Sequence, residues 1–155
     1  MNSESENRYV QSHLKLTETA VMSLLKSAIT QAERIGFNAA VSVTDTSGLL
    51  LGFIRMPGAF LVSSELSQRK ARCAAGLGIC PELTEEVLAN EDSRVRDGLL
   101  RSEDFTLIRG GLPLYWGRIL VGGIGVSGGT ESQDSECASR AIANLQGSRF
   151  SSQPE

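Results

Sequence analysis

Ile119-Leu-Val-Gly-Gly-Ile-Gly-Val126, followed by Ser127-Gly-Gly-Thr130 and the run Glu131 to Leu145, decides the fold. The first stretch is apolar or glycine at every position, which is the signature of a strand covered on both faces. Its glycines leave no side chain to pack, so another element or a ligand must come close to the backbone there. Ser127-Gly-Gly-Thr130 reads as a loop, with Thr130 placed to cap the helix that starts at Glu131. Upstream, Gly117-Arg118 makes a tight turn into a preceding strand, Leu112 to Trp116. Phe105 to Ile108 reads as one more short strand, joined to it through Arg109-Gly110-Gly111.

The N-terminal half supplies a second hairpin. Asn38 to Asp45 is rich in small and β-branched residues, Thr46-Ser47-Gly48 is a turn cluster, and Leu49 to Arg55 is again a strand. Before it, Leu16, Ala20, Leu24, Ala28, Ala32 and Ile35 recur at helical spacing; Thr17 caps that helix and Gly36 stops it. After Met56-Pro57-Gly58 a helix is predicted over 61–77, with Ser63 or Ser64 as caps. Pro81 opens a short helix to Ala89. Residues 90–104 are densely charged and read as an exposed connector with a turn of helix.

Helix, two strands, two helices, three strands and a helix give an α+β fold: an antiparallel five-stranded sheet flanked by helices. Repeated βαβ units are lacking, which argues against a doubly wound parallel sheet. The chain has 155 residues, enough for one domain, expected over 14–146 with loose tails at 1–13 and 147–155. A net charge of −3 argues against a nucleic-acid partner. No apolar run reaches the ~20 residues of a membrane span, and Met1 to Gln11 lacks the features of a secretory signal, so a cytoplasmic location is expected. Cys73, Cys80 and Cys137 form neither a disulfide framework nor a metal motif.

Candidate chemistry gathers around glycine. Arg109-Gly110-Gly111 and Ser127-Gly128-Gly129 offer backbone N–H groups, and the second loop leads into a helix N-terminus, which attracts anions. Both are equally readable as ordinary turns. Arg69 and Lys70 lie mid-helix, and a basic pair facing a pocket would hold a carboxylate; Arg55 is a similar case. Asp134, near the start of the last helix, is a candidate general base, and Asp45 is expected to brace its own turn. His13 is the only histidine, so a Ser-His-Asp device or a histidine metal site is not expected. His13, Met56, Cys80 and Tyr115 are the conceivable haem ligands.

Four segments, in order, resemble the GlcG/HbpS family, which also occurs as a C-terminal domain of some corrinoid adenosyltransferases. They are Val43-Thr-Asp-Thr-Ser-Gly-Leu-Leu50, Arg55-Met-Pro-Gly-Ala59, Arg69-Lys-Ala-Arg-Cys-Ala-Ala75, and Arg109-Gly-Gly-Leu-Pro-Leu114 running on through Val121 to Gly129 and Gln133-Asp134. The resemblance implies a profilin-like sheet, homo-oligomers from dimers to octamers, and association with haem or with small-molecule catabolism. It favours a functional Lys70. Two readings follow. One is an accessory protein binding haem or a related anionic small molecule through Arg55, Arg69, Lys70, Arg109, Gly110, Gly111, Ser127, Gly128 and Gly129. The other is a cofactor-independent catabolic enzyme (isomerase or tautomerase, lyase or hydrolase), with Lys70, Arg109 and Asp134 catalytic.

Overall fold

The computed structural model describes residues 9–145, 147 and 149–155. Two hairpins meet in its centre. β1 (Ala40–Thr44) and β2 (Leu50–Arg55) form the first, β3 (Gly111–Trp116) and β4 (Ile119–Ser127) the second, and β1 pairs with β4. A two-residue strand, β5 (Phe150–Ser151), adds to β3, so the sheet runs β2-β1-β4-β3-β5 with every pairing antiparallel. The expected five-stranded antiparallel α+β fold is observed.

Helices close both faces. α1 (Glu18–Ile35) and α5 (Glu131–Ala143) cover one, and α2 (Leu61–Leu77) covers the other. Under α1 and α5 lies the main core, where Leu24, Ala28, Val41, Val43, Ile124, Val126 and Cys137 are wholly buried. Alternation along β1 turns Ser42 to the other face, where its hydroxyl hydrogen-bonds that of Ser67 on α2 at 2.7 Å. The β4 glycines explain how α2 comes so close. A Cβ on Gly123 would collide with the Ala71 carbonyl, and one on Gly125 with the Ser67 carbonyl. The open backbone therefore admits a helix rather than a ligand.

Local signals account for most helix ends. The Thr17 hydroxyl accepts from the Ala20 N–H at 3.2 Å, and Gly36 ends α1 at φ 99°. α2 differs from expectation: Phe60 is its N-cap, without a side-chain cap, and Ser63 lies inside the helix and buried. α3 (Pro81–Ala89) starts at its proline, and α4 (Ser93–Leu100) gives the charged connector a full short helix capped by Asp92. Asp45 braces its turn as expected, its Oδ1 accepting from the Ser47 and Leu49 N–H groups.

Two expectations need correction. Phe105 to Ile108 is not a strand. Phe105 and Leu107 bury against Cys73 and Leu88, and local side chains serve the backbone: the Thr106 hydroxyl accepts from the Ile108 N–H and Arg109 donates to the Leu107 carbonyl. The fifth strand comes instead from the segment read as a loose tail, 147–155, of which residue 148 lies outside the description. There Phe150 packs edge-on against Trp116, ring centroids 5.1 Å apart. Of the 1–13 tail, residues 1–8 lie outside the described residues and 9–13 are exposed. No described helix is long and apolar enough to cross a membrane.

Candidate functional site

The residues singled out around glycine do converge. α2 carries Lys70 to the end of the sheet where β4 runs into the Ser127-Gly128-Gly129 loop and α5 begins. There the Lys70 Nζ donates to the Val126 carbonyl at 2.8 Å and to the Asp134 Oδ2 at 3.0 Å. The other carboxylate oxygen, Oδ1, accepts from the Gly129 N–H at 2.9 Å. Lys70 is 1% exposed and Asp134 3%. Burial pushes Lys70 below the ordinary lysine value and Asp134 above the ordinary carboxylate value, and each is the chief influence opposing the shift of the other.

This geometry bears on the anion-binding expectation for Lys70 and the loop. The anion is present, and the chain itself supplies it: Asp134 fills the hollow between Lys70 and Gly129. Gly110, at φ 120°, lies so close that a Cβ there would stand 2.9 Å from the Lys70 Nζ, and a Cβ on Gly111 would stand 3.0 Å from the Lys70 carbonyl carbon. Ser127 is a buried strand residue opposite Ala40, and Gly128, at φ 129°, turns over the Asn38 carbonyl. The α5 N-terminus is already served by a capping box between Thr130 and Gln133. Both carboxylate oxygens and the ammonium are thus engaged inside the protein.

Two of the other candidate cations, Arg109 and Arg55, are also occupied. Arg109 pairs with Glu85 and lies 3.8 Å from Glu82, while its own N–H donates to Glu131. The Glu85 hydrogen bond, with the neighbouring acids, holds the guanidinium charged still more firmly than usual. Arg55 donates to the Ala59 carbonyl and closes the 56–59 turn. Arg69 differs, since its Nε is buried without a hydrogen-bond partner among the described residues. The suggested haem ligands separate: His13 lies 3.3 Å from the Thr46 hydroxyl, and the Met56 sulfur accepts from the Ala39 N–H.

Cys80 and Tyr115 come together. Both line a cavity of about 550 Å³ between the α2–α3 turn, β3, α5 and the C-terminal segment. Cys80 is a half-buried free thiol, and the Tyr115 hydroxyl donates to the Gly78 carbonyl at 2.7 Å. Ile79, Leu83 and Leu112 give apolar wall, and Ser135 and Ser139 give hydroxyls. Neither serine was singled out in the sequence, although their spacing of four puts them on one side of α5.

The model of the family described as "Haem degrading protein HbpS-like" matches residues 16–143. The chain belongs to the HbpS-like family. Among curated HbpS-like relatives, the corrinoid adenosyltransferase PduO of Salmonella typhimurium is 34% identical over 123 residues, 79% of this chain and 36% of that protein. PduO of Citrobacter freundii is 32% identical over 133 residues, 85% of this chain and 39% of that protein. The chain thus spans less than half the length of these relatives. Among solved structures, a PduOC–haem complex superposes with a TM-score of 0.80 at 28% identity, covering 90% of this chain and 99% of that one. HbpS superposes with a TM-score of 0.79 at 27% identity, covering 88% and 94%.

Proposed function

We propose that this HbpS-like chain is an accessory protein that binds haem, or a closely related planar anionic ligand, in the cavity beside Cys80. The observation that carries the reading is the cavity itself. Its volume is in the range of small-molecule sites, and it joins apolar wall to a few polar groups. The haem-bound PduOC relative and the description of the family support the choice of ligand.

The donor set fits haem. Thiolate and phenolate are both iron ligands, and the cavity offers one thiol and one phenol. Ile79, Leu83 and Leu112 would lie against the ring, and the Ser135 and Ser139 hydroxyls would meet carboxylates at its edge. Bound haem would bring an iron centre for redox or gas chemistry. The chain would supply the donor atom and the apolar wall that keeps water off the ring. The three free cysteines agree with a reducing, cytoplasmic setting. A homo-oligomer completes the reading.

Titration of the purified chain with hemin tests it. The expected result is a saturable Soret shift at micromolar concentration with one haem per chain. Cys80→Ala moves the Soret maximum and weakens binding about tenfold. A wild type without a saturable shift overturns haem binding; Cys80→Ala and Tyr115→Phe variants that both bind like the wild type overturn the cavity as its place.

A further inference from the structure

One wall of the Cys80 cavity is attached differently from the rest. β3 runs from Gly111 to Trp116, but β5 pairs only with its last two residues, Ser151 with Tyr115 and Phe150 with Trp116. Alongside Gly111 to Leu114 that flank of β3 has no strand partner among the described residues, and Gly111 and Leu112 line the cavity there. Ser152, Gln153 and Pro154 stand in as a wall. The Ser151 hydroxyl donates to the Gln153 carbonyl, which turns the chain, and Pro154 has no N–H to add to a ladder.

Both ends of this segment are tied to one residue. The Gly117 N–H donates to the Arg149 carbonyl at 2.9 Å, and the Glu155 N–H donates to the Gly117 carbonyl at 3.2 Å. Across the neck so formed, Arg149 Nη2 lies 3.2 Å from Glu155 Oε2, and the guanidinium stands 5.9 Å from the Trp116 ring centre. Residues 149–155 are therefore a loop with its neck at the β3–β4 turn and its tip at the cavity. Its hold is slight: a two-residue ladder, the edge contact of Phe150 with Trp116, and an ion pair whose side chains are 58% and 55% exposed. None of its residues is buried, whereas α2, β3 and α5 all carry buried residues. Segments with few buried contacts open far below the free energy of global unfolding. This loop lifts more easily than the walls it faces.

We infer that residues 149–155 are a gate on the Cys80 cavity: ligand enters and leaves when the loop lifts from β3, and the Arg149–Glu155 latch sets how often it does. The inference rests on the cavity reading given above and concerns its regulation. Two variants loosen the gate. Phe150→Ala acts at the ladder. Glu155→Lys sets like charges at the exposed neck, where folding is not at stake, and circular dichroism confirms that each variant is folded. Trp116 is the single tryptophan, so its fluorescence reports docking of the loop. Cys73 and Cys137 are buried, so the rate at which an aromatic disulfide reagent labels Cys80 reports access without haem. Stopped-flow mixing with hemin reports entry, and transfer of bound haem to excess apomyoglobin reports release. The expected result is red-shifted Trp116 emission with labelling, entry and release all faster, about tenfold for Phe150→Ala and about threefold for Glu155→Lys. Folded variants that keep the wild-type labelling and hemin rates overturn the gate, and so does faster labelling with hemin rates unchanged. Faster labelling in a chain that binds no hemin supports the gate and overturns the haem reading alone.

Discussion

Lys70 and Asp134 sit 64 positions apart in sequence and 3.0 Å apart in space, inside the protein. A buried ion pair need not stabilise a fold, but removing one partner leaves an uncompensated charge. Lys70→Met and Asp134→Leu are each expected to cost about 3–5 kcal/mol in urea denaturation, and the double variant to recover much of that loss. A double variant as unstable as the sum of the singles would show that the pair is not coupled. The cysteines divide in the same way between buried and accessible. Burial raises the Cys73 thiol and pushes Cys137 up to about 12 from an ordinary 9.0. A thiol-reactive reagent at pH 8 should therefore label Cys80 first. Because the folded value of Cys137 lies above the unfolded one, its contribution to stability is complete below pH 9 and is lost as pH rises toward 12. Wild type should lose stability relative to Cys137→Ala across that window, and parallel profiles would contradict it. The sequence shows Lys70, Asp134 and the 127–129 loop as charged or glycine-rich positions of interest. That one of them neutralises another is a long-range fact that no local pattern carries.

At the scale of elements, the decisive contact is a helix backbone against a strand backbone. Ser67 and Ala71 of α2 lie over Gly125 and Gly123 of β4, where even a methyl has no room. Gly125→Val is expected to lose about 1–3 kcal/mol or more through overpacking, measured by thermal and urea unfolding. Gly98, with open space around it, should accept Ala at little cost. A Gly125→Val variant as stable as the wild type would remove the close approach from the account. Both hairpins were legible because turn residues sit between alternating or apolar runs. Phe105-Thr-Leu-Ile108 misleads for a physical reason: an apolar alternation looks the same whether its buried side lies on a sheet or on helices α2 and α3. β5 hides for the opposite reason, since two residues are too few to show a period.

Over the whole molecule, charge and apolar surface are distributed by role. The sheet end where α5 begins is sealed by Lys70 and Asp134, a buried polar centre. The Cys80 cavity flanks that centre on one side of the molecule, and the 149–155 loop forms one of its walls. Composition and segment order made the class of fold readable, because the long helices and both hairpins carry their own periods and turn signals. The cavity was not readable, because it is assembled from the α2–α3 turn, β3, α5 and residues 152–154. Amide hydrogen exchange of the whole chain, with and without stoichiometric hemin, tests the central claim most directly. The account predicts new protection at residues 78–83, 111–115 and 135–139. Protection confined to other segments, or none at saturating hemin, would contradict it.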